Sequence, residues 1–207
     1  MDRVSEILSE LSRLYPDAKP ALAFRSPYEL LVAVILSAQC TDERVNKVTA
    51  ELFKEHNTPE AMITLGQEEL ERKIYSCGFY HNKAKHILSA SQDILSRYGG
   101  QVPDTLEELQ TLAGVGRKTA NVVYAVAFGG DAIAVDTHVV RVSNRLGLAE
   151  GNTPEKVERG LMQAIPQAEW SKAHHWLIWH GRRVCHSQRP ACADCTLSSL
   201  CKHYQKV

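Results

Sequence analysis

The stretch Thr105-Leu106-Glu107-Glu108-Leu109-Gln110-Thr111-Leu112-Ala113-Gly114-Val115-Gly116-Arg117-Lys118-Thr119-Ala120-Asn121-Val122-Val123 decides the fold. Thr105 with Glu108 three residues on is a capping box, so a helix is expected over 105–112. Ala113-Gly114-Val115-Gly116 reads as a turn, and a second helix is expected over 117–128. Two glycines two apart permit positive φ and let the backbone approach a ligand with no Cβ in the way. The second helix would present free N–H groups and its positive dipole end there, which makes an anion site suited to phosphate. Arg117 and Lys118 add cations to the first turn, where they cost a helix about 0.3–1 kcal/mol. A cost tolerated there points to function. On the Gly-x-Gly alone, an ordinary helix corner is an equal reading.

Outward from this hairpin, helical signals dominate. Val4, Ile7, Leu8, Leu11 and Leu14 fall at helical spacing, and Pro16 ends that helix. Ser26-Pro27-Tyr28-Glu29 is a capping box with Pro at the first helical position, opening a helix to about Ala38. It is apolar nearly all round and is expected at the centre of a core. Thr41 can cap the next helix, with Val45, Val48 and Leu52 inward, and Thr58-Pro59 starts a short one. Helices are expected over 68–77, closed by Gly78, and over 82–98, closed by Gly99-Gly100. Three more are expected over 137–146, 154–165 and 171–181. Ala132-Ile133-Ala134-Val135 is the one strand-like piece. The pattern is all-α, with a boundary plausible near Gly129-Gly130 and with the first helix free to bury its stripe against the C-terminal half.

The bulk numbers restrict the function. The chain of 207 residues carries 24 Lys plus Arg and 24 Asp plus Glu, so its net charge is zero. That argues against coating nucleic acid through charge alone, while leaving room for a local phosphate site. The C-terminal stretch 181–207 is basic, with Arg182, Arg183, Arg189, Lys202 and Lys206 against Asp194. The start, Met1-Asp2-Arg3-Val4-Ser5-Glu6, lacks a signal-peptide layout. The apolar run near 30–36 is far short of the roughly 20 residues that span a bilayer. A soluble cytoplasmic protein that needs no membrane is expected, as a monomer, since no surface pattern argues for an oligomer.

In a reducing compartment the six cysteines are expected as metal ligands or free thiols. Cys185, Cys192, Cys195 and Cys201 are separated by six, two and five residues. Four thiolates so close together form a metal site. Zinc favours paired C-x2-C knuckles, of which there is a single one here, so a zinc ribbon fits poorly. Cys40 and Cys77 are expected as free, partly buried thiols.

Taken whole, 112–123 resembles the helix–hairpin–helix of the endonuclease III family of DNA glycosylases, and Val135-Asp136-Thr137-His138-Val139 resembles that family's catalytic aspartate segment. The six-two-five cysteine spacing matches the family's iron–sulfur loop. The resemblance runs from Ser26 to Cys201 and has its motifs in the same order. It implies the helix–hairpin–helix glycosylase fold: a six-helix barrel domain over 20–131, and an iron–sulfur domain formed by 1–19 and 132–207. It implies a [4Fe–4S] cluster on the four cysteines. It also implies double-stranded DNA with damaged bases or abasic sites as the partner, the protein being nucleoid-associated when on DNA.

For Lys118 the resemblance implies a nucleophile that attacks the sugar's anomeric carbon and forms a Schiff base, after which β-elimination breaks the strand. Lys118 is expected to be partly buried beside Arg117. Asp136 would face the developing positive charge, and a plain helix N-cap is a compatible role. Gly114 and Gly116 would hold phosphate, and His138 either touches phosphate or packs. Arg189 on the cysteine loop would meet the DNA backbone, with solvent exposure as the plainer reading. A base inside the duplex must be flipped out and the gap filled. Ser37-Ala38-Gln39-Cys40-Thr41-Asp42 resembles the family's plugging segment, which implies Gln39. Gly78-Phe79-Tyr80-His81-Asn82-Lys83-Ala84 resembles the wedge loop, with Phe79 where Leu is usual and core packing as its alternative. Lys83, Lys85 and His86 suit either phosphate contacts or a solvated face. The chain departs from the family at Ala113, where Pro is usual, and activity is expected to survive that.

The activity so implied is a bifunctional glycosylase and abasic-site lyase acting on oxidised pyrimidines. A monofunctional glycosylase of the same superfamily would carry a Glu within the segment aligned to Leu31-Val32-Ala33 and would lack Lys118, so both discriminators favour the lyase. A non-enzymatic DNA-binding redox sensor is the third reading, and it predicts no covalent adduct with DNA.

Overall fold

The computed structural model describes residues 2–206. Its α-helices are α1 (Arg3–Leu14), α2 (Pro27–Ser37), α3 (Asp42–Leu52), α4 (Pro59–Ile63), α5 (Gly66–Ile74), α6 (Tyr80–Tyr98), α7 (Leu106–Leu109), α8 (Arg117–Ala127), α9 (Thr137–Leu146), α10 (Pro154–Ala164) and α11 (Trp170–Arg183). Short 3-10 turns such as Tyr75–Cys77 complete it, and no strand is assigned among the described residues. The chain forms two compact units. One is Pro20–Gly129; the other joins the segment up to Lys19 with the segment from Gly130 onward.

Caps fix most helix starts. Ser26, Thr41, Thr58, Thr105 and Thr153 each accept the backbone N–H three residues on. Each such cap is worth about 1 kcal/mol. The box at Ser26 is only half formed, because Glu29 Oε2 accepts the amide of Arg25 at 2.7 Å instead of closing back on Ser26.

In the Pro20–Gly129 unit, α2 is the central element and packs on α3, α6 and α8. Leu30, Leu31, Ala33 and Leu36 are wholly buried, so this helix is enclosed on every side. A fully buried Leu is worth roughly 1.5–3 kcal/mol. Enclosure therefore outweighs the weak amphipathic pattern of the segment. In the other unit, Ile7 and Leu11 of α1 share a core with Val139 and Val142 of α9, Leu161 of α10 and Leu177 of α11.

Several expected bounds shift. The helix over 68–77 is instead α5 followed by the 3-10 turn Tyr75–Cys77, which Gly78 closes at φ 67°. The helix over 82–98 begins earlier, at Tyr80, with Phe79 as its N-cap. The first hairpin helix is a single turn, α7, because the chain bends through Gln110–Leu112 before the glycines. The run Ala132–Val135 is no strand; it is a buried irregular segment leading to α9, apolar because it is core and not because it pairs.

Candidate active site and cysteine centre

The hairpin turn is built by backbone geometry. Val115 N donates to Leu112 O at 3.1 Å, and Gly114 follows the bend at φ 76°. A Cβ on Gly114 would lie 2.8 Å from His86 Cβ, so glycine is needed there both for φ and for space. His86 thus serves as the floor of the hairpin. Gly116 differs: its φ is −83°, and a Cβ there would meet open space. Bare backbone at Gly116 is required by nothing inside the unit and leaves an approach open from outside. Gly116 is the N-cap of α8, and no side chain caps that helix. Its first N–H groups and dipole face outward, as an anion site requires. Lys118 in the first turn is exposed, contrary to the partial burial expected. The physical reason is that side chains at a helix start lean back toward its N-terminus, here past Gly116, which has no side chain to cover them.

Among the described residues, three non-glycine residues have left-handed backbone: Gln39 (φ 52°), Phe79 (φ 48°) and Arg189 (φ 49°). Each such residue costs about 1–2 kcal/mol. These are the three side chains singled out above to plug, wedge and touch DNA. All three are exposed, and Phe79, at 63% of its surface, is not a core residue.

Lys83 is neither solvated nor a phosphate contact. It is buried, and its Nζ donates to Leu36 O and to Cys77 O, each at 2.8 Å. One cation therefore ties the end of α2, which precedes Gln39, to the turn that precedes Phe79. Burial pushes its amine below the usual lysine value.

Asp136 is the N-cap of α9. Its Oδ1 accepts the amides of His138 (2.8 Å) and Val139 (2.9 Å), and Oδ2 lies 3.3 Å from His138 Nδ1. Capping thus uses Oδ1 and leaves Oδ2 to the His138 ring. His138 is half-buried against this carboxylate. Lys118 belongs to the Pro20–Gly129 unit, and Asp136 to the other.

Cys185, Cys192, Cys195 and Cys201 line one hollow, with Arg145 and His180 in its wall. A zinc ion needs its sulfurs about 2.3 Å from one point. Among the described residues no three His, Cys, Asp or Glu side chains gather around such a point. Four thiols spread around a hollow fit a polynuclear cluster, whose sulfurs bind separate irons.

Sequence reasoning missed the residues that shape this hollow. Arg145 Nη1 lies 3.4 Å from Cys185 Sγ and 2.6 Å from His186 O, and Nη2 donates to Ser187 O at 3.1 Å. Arg141, one turn earlier, donates from Nε to Cys185 O at 3.0 Å. Their i,i+4 spacing on α9 was the available signal. His180 Nε2 lies 3.7 Å from Cys195 Sγ, and its Nδ1 lies 3.0 Å from the Tyr15 hydroxyl. Burial lowers the His180 pKa to about 4 and raises that of the Cys195 thiol.

The hairpin with its open helix start, and the capped aspartate, are the parts of a protein that works on DNA from the backbone inward. Residues 32–167 match the model of the HhH-GPD superfamily of base excision DNA repair proteins. The chain is 50% identical to endonuclease III of Synechocystis sp. over 204 residues, covering 98% of this chain and 93% of that one. It is 48% identical to endonuclease III of Bacillus subtilis over 207 residues, covering 100% and 94%. A trapped endonuclease III–DNA covalent intermediate superimposes with a TM-score of 0.92 at 48% identity, covering 100% of this chain and 99% of that one. The chain belongs to the endonuclease III family. It is a base-excision repair enzyme, a DNA glycosylase with abasic-site lyase activity.

Proposed function

We propose that the enzyme removes oxidised pyrimidines from double-stranded DNA and cleaves the abasic site through a Schiff base on Lys118. The observation that carries this reading is the exposed Lys118 one residue inside a helix that no side chain caps. Backbone N–H groups at Gly116 and beyond would hold a phosphate of the damaged strand, with Gly114 keeping the turn in shape. Gln39 would fill the place of the extruded base and Phe79 would wedge the opposite strand. The Lys118 amine attacks C1′ and the base departs with the glycosidic bond's electrons. After the nitrogen sheds a proton, its lone pair forms the C1′=N iminium as the C1′–O4′ bond breaks and O4′ leaves as a hydroxyl, opening the sugar ring. Loss of a C2′ proton expels the 3′ phosphate by β-elimination. Asp136, held in place by two amides, would stabilise positive charge growing on the sugar. His138 would orient that carboxylate or meet phosphate.

Cys185, Cys192, Cys195 and Cys201 would hold a [4Fe–4S] cluster, which when bound ties the C-terminal loop together so that Arg189 can reach the DNA backbone. Leu31, Val32 and Ala33 are buried and apolar, so the segment where a monofunctional relative would carry a glutamate has no carboxylate in this chain. No helix among the described residues is long and apolar enough to cross a membrane. We place the enzyme in the cytoplasm as a monomer, on the nucleoid when bound to DNA.

The test uses duplexes carrying one thymine glycol, one abasic site or no lesion. The wild type should release the base and cut both damaged strands. Lys118→Met should bind both and cut neither. Equal cutting by Lys118→Met, or cutting of undamaged DNA, would contradict the proposal.

A further inference from the structure

Two thiols lie outside the cysteine centre, and both sit under the turns assigned to enter DNA. Cys40 follows Gln39 and precedes Thr41, the cap of α3. Cys77 ends the 3-10 turn that leads through Gly78 to Phe79. That turn packs on α3, and both cysteines belong to the same hydrophobic cluster. Burial first, and then the neighbouring Cys40 thiol, push the Cys77 thiol above its ordinary value. Cys40 is only partly buried, whereas Cys77 is buried at 2%. The buried Lys83 ammonium lies within electrostatic reach of both thiols while its hydrogen bonds hold the backbone on each side. Here, then, are an accessible thiol, an enclosed partner and a fixed positive charge.

We propose that Cys40 and Cys77 form a modification site that reacts with a small-molecule disulfide, and that the resulting protein disulfide locks the Gln39 and Phe79 turns to each other and weakens DNA binding. The proposal rests on the reading of Gln39 and Phe79 given above. The Cys40 thiolate attacks one sulfur of the small disulfide and expels the other as a thiolate, giving a mixed disulfide. Cys77 then loses its proton to solvent and attacks the Cys40 sulfur, expelling the second small thiolate. Two protein thiols lose two electrons, and one small disulfide becomes two thiols. The order follows exposure: burial holds the Cys77 thiol up at about 11, so it resolves the mixed disulfide and does not initiate it. The consequence follows from position. Filling an opened duplex requires Gln39 and Phe79 to adjust to the DNA on either side of the gap. A covalent link at their bases would hold them at their unbound separation.

The iron-loaded protein would be equilibrated with glutathione disulfide, digested with trypsin without reduction, and mapped. The expected product is residues 26–44 joined to residues 74–83 through Cys40 and Cys77, with the centre's four cysteines unmodified. Affinity for an abasic-site duplex should fall on the order of tenfold and return with dithiothreitol. Cys40→Ser should abolish both changes, whereas Cys77→Ala should stop at a mixed disulfide on Cys40 with no joined peptide; because Cys40 is only partly buried, the first variant tests the point without disturbing the core. In the wild type, a mixed disulfide that remains on Cys40, or no modification, would overturn the dithiol site. A joined peptide with unchanged affinity would overturn the lock. Reduced protein that fails to bind the duplex at all would contradict the function proposed above, and the peptide map would still decide the dithiol site.

Discussion

Asp136 and His138 are joined twice: Asp136 Oδ1 accepts the His138 amide at 2.8 Å, and Oδ2 faces His138 Nδ1 at 3.3 Å. The same carboxylate therefore caps α9 through Oδ1 and meets the His138 ring through Oδ2. The two duties can be separated by substitution. Asp136→Asn keeps an acceptor for the cap and removes the charge; folding stability should hold within about 0.5 kcal/mol while turnover falls roughly 10²-fold. Asp136→Ala should lose the same turnover and also about 1 kcal/mol of stability. Urea denaturation beside single-turnover strand cleavage would check both. Retained turnover in Asp136→Asn would remove the charge from the mechanism.

Gly114 and Gly116 should part company on substitution. Alanine at Gly114 meets both a φ of 76° and His86 at 2.8 Å, so Gly114→Ala should destabilise the fold by about 2 kcal/mol or more. Gly116→Ala finds open space and an ordinary φ, so it should fold normally and bind DNA more weakly. Thermal unfolding and a binding titration would distinguish them.

Phe79 holds a left-handed backbone that a non-glycine residue pays for in strain. Phe79→Gly should raise stability by about 1 kcal/mol, because glycine relieves the strain and this exposed ring contributes little to the core. Phe79→Ala keeps the strain and should leave stability nearly unchanged. Both variants should bind abasic-site DNA less tightly. A stabilised Phe79→Gly with full affinity would mean that the strain serves some other end.

His174 and His175 in α11 give the fold an acid limit. Burial lowers their pKa values to about 3 and about 4 from an ordinary 6.5. Below about pH 6.5 the unfolded chain takes up these protons and the folded chain does not. Stability is therefore complete above that pH and is lost as pH falls toward 4. For His174 alone the loss at pH 5 is up to about 2 kcal/mol. Urea denaturation from pH 7 to 5 should show a shallower decline in His174→Met than in the wild type. Parallel declines would contradict this assignment.

What the sequence made legible was local. The caps at Ser26, Thr41, Thr58, Thr105 and Thr153 could be read because the signal and its partner lie three residues apart. The all-round apolar character of 27–37 placed it at the centre of a core. What remained hidden depended on distant partners. Lys83 looks like any basic residue on a helix until Leu36 O and Cys77 O appear beside its ammonium. Arg145 reaches the loop beyond Cys185 across some forty residues of chain, and its i,i+4 spacing from Arg141 marks a shared face without naming the partner. The apolar run at 132–135 resembled a strand because burial of an irregular segment leaves the same composition. The left-handed backbone of Gln39 and Arg189 had no glycine to signal it.

The central claim is that the Lys118 amine becomes covalently bound to DNA. Borohydride reduction in the presence of an abasic-site duplex, followed by peptide mapping, tests it most directly. A stable complex with the sugar remnant on Lys118 is expected, and none with Lys118→Ala, although that variant still folds and binds. Folded wild-type protein that gives no adduct, or an adduct that persists in Lys118→Ala, would contradict it.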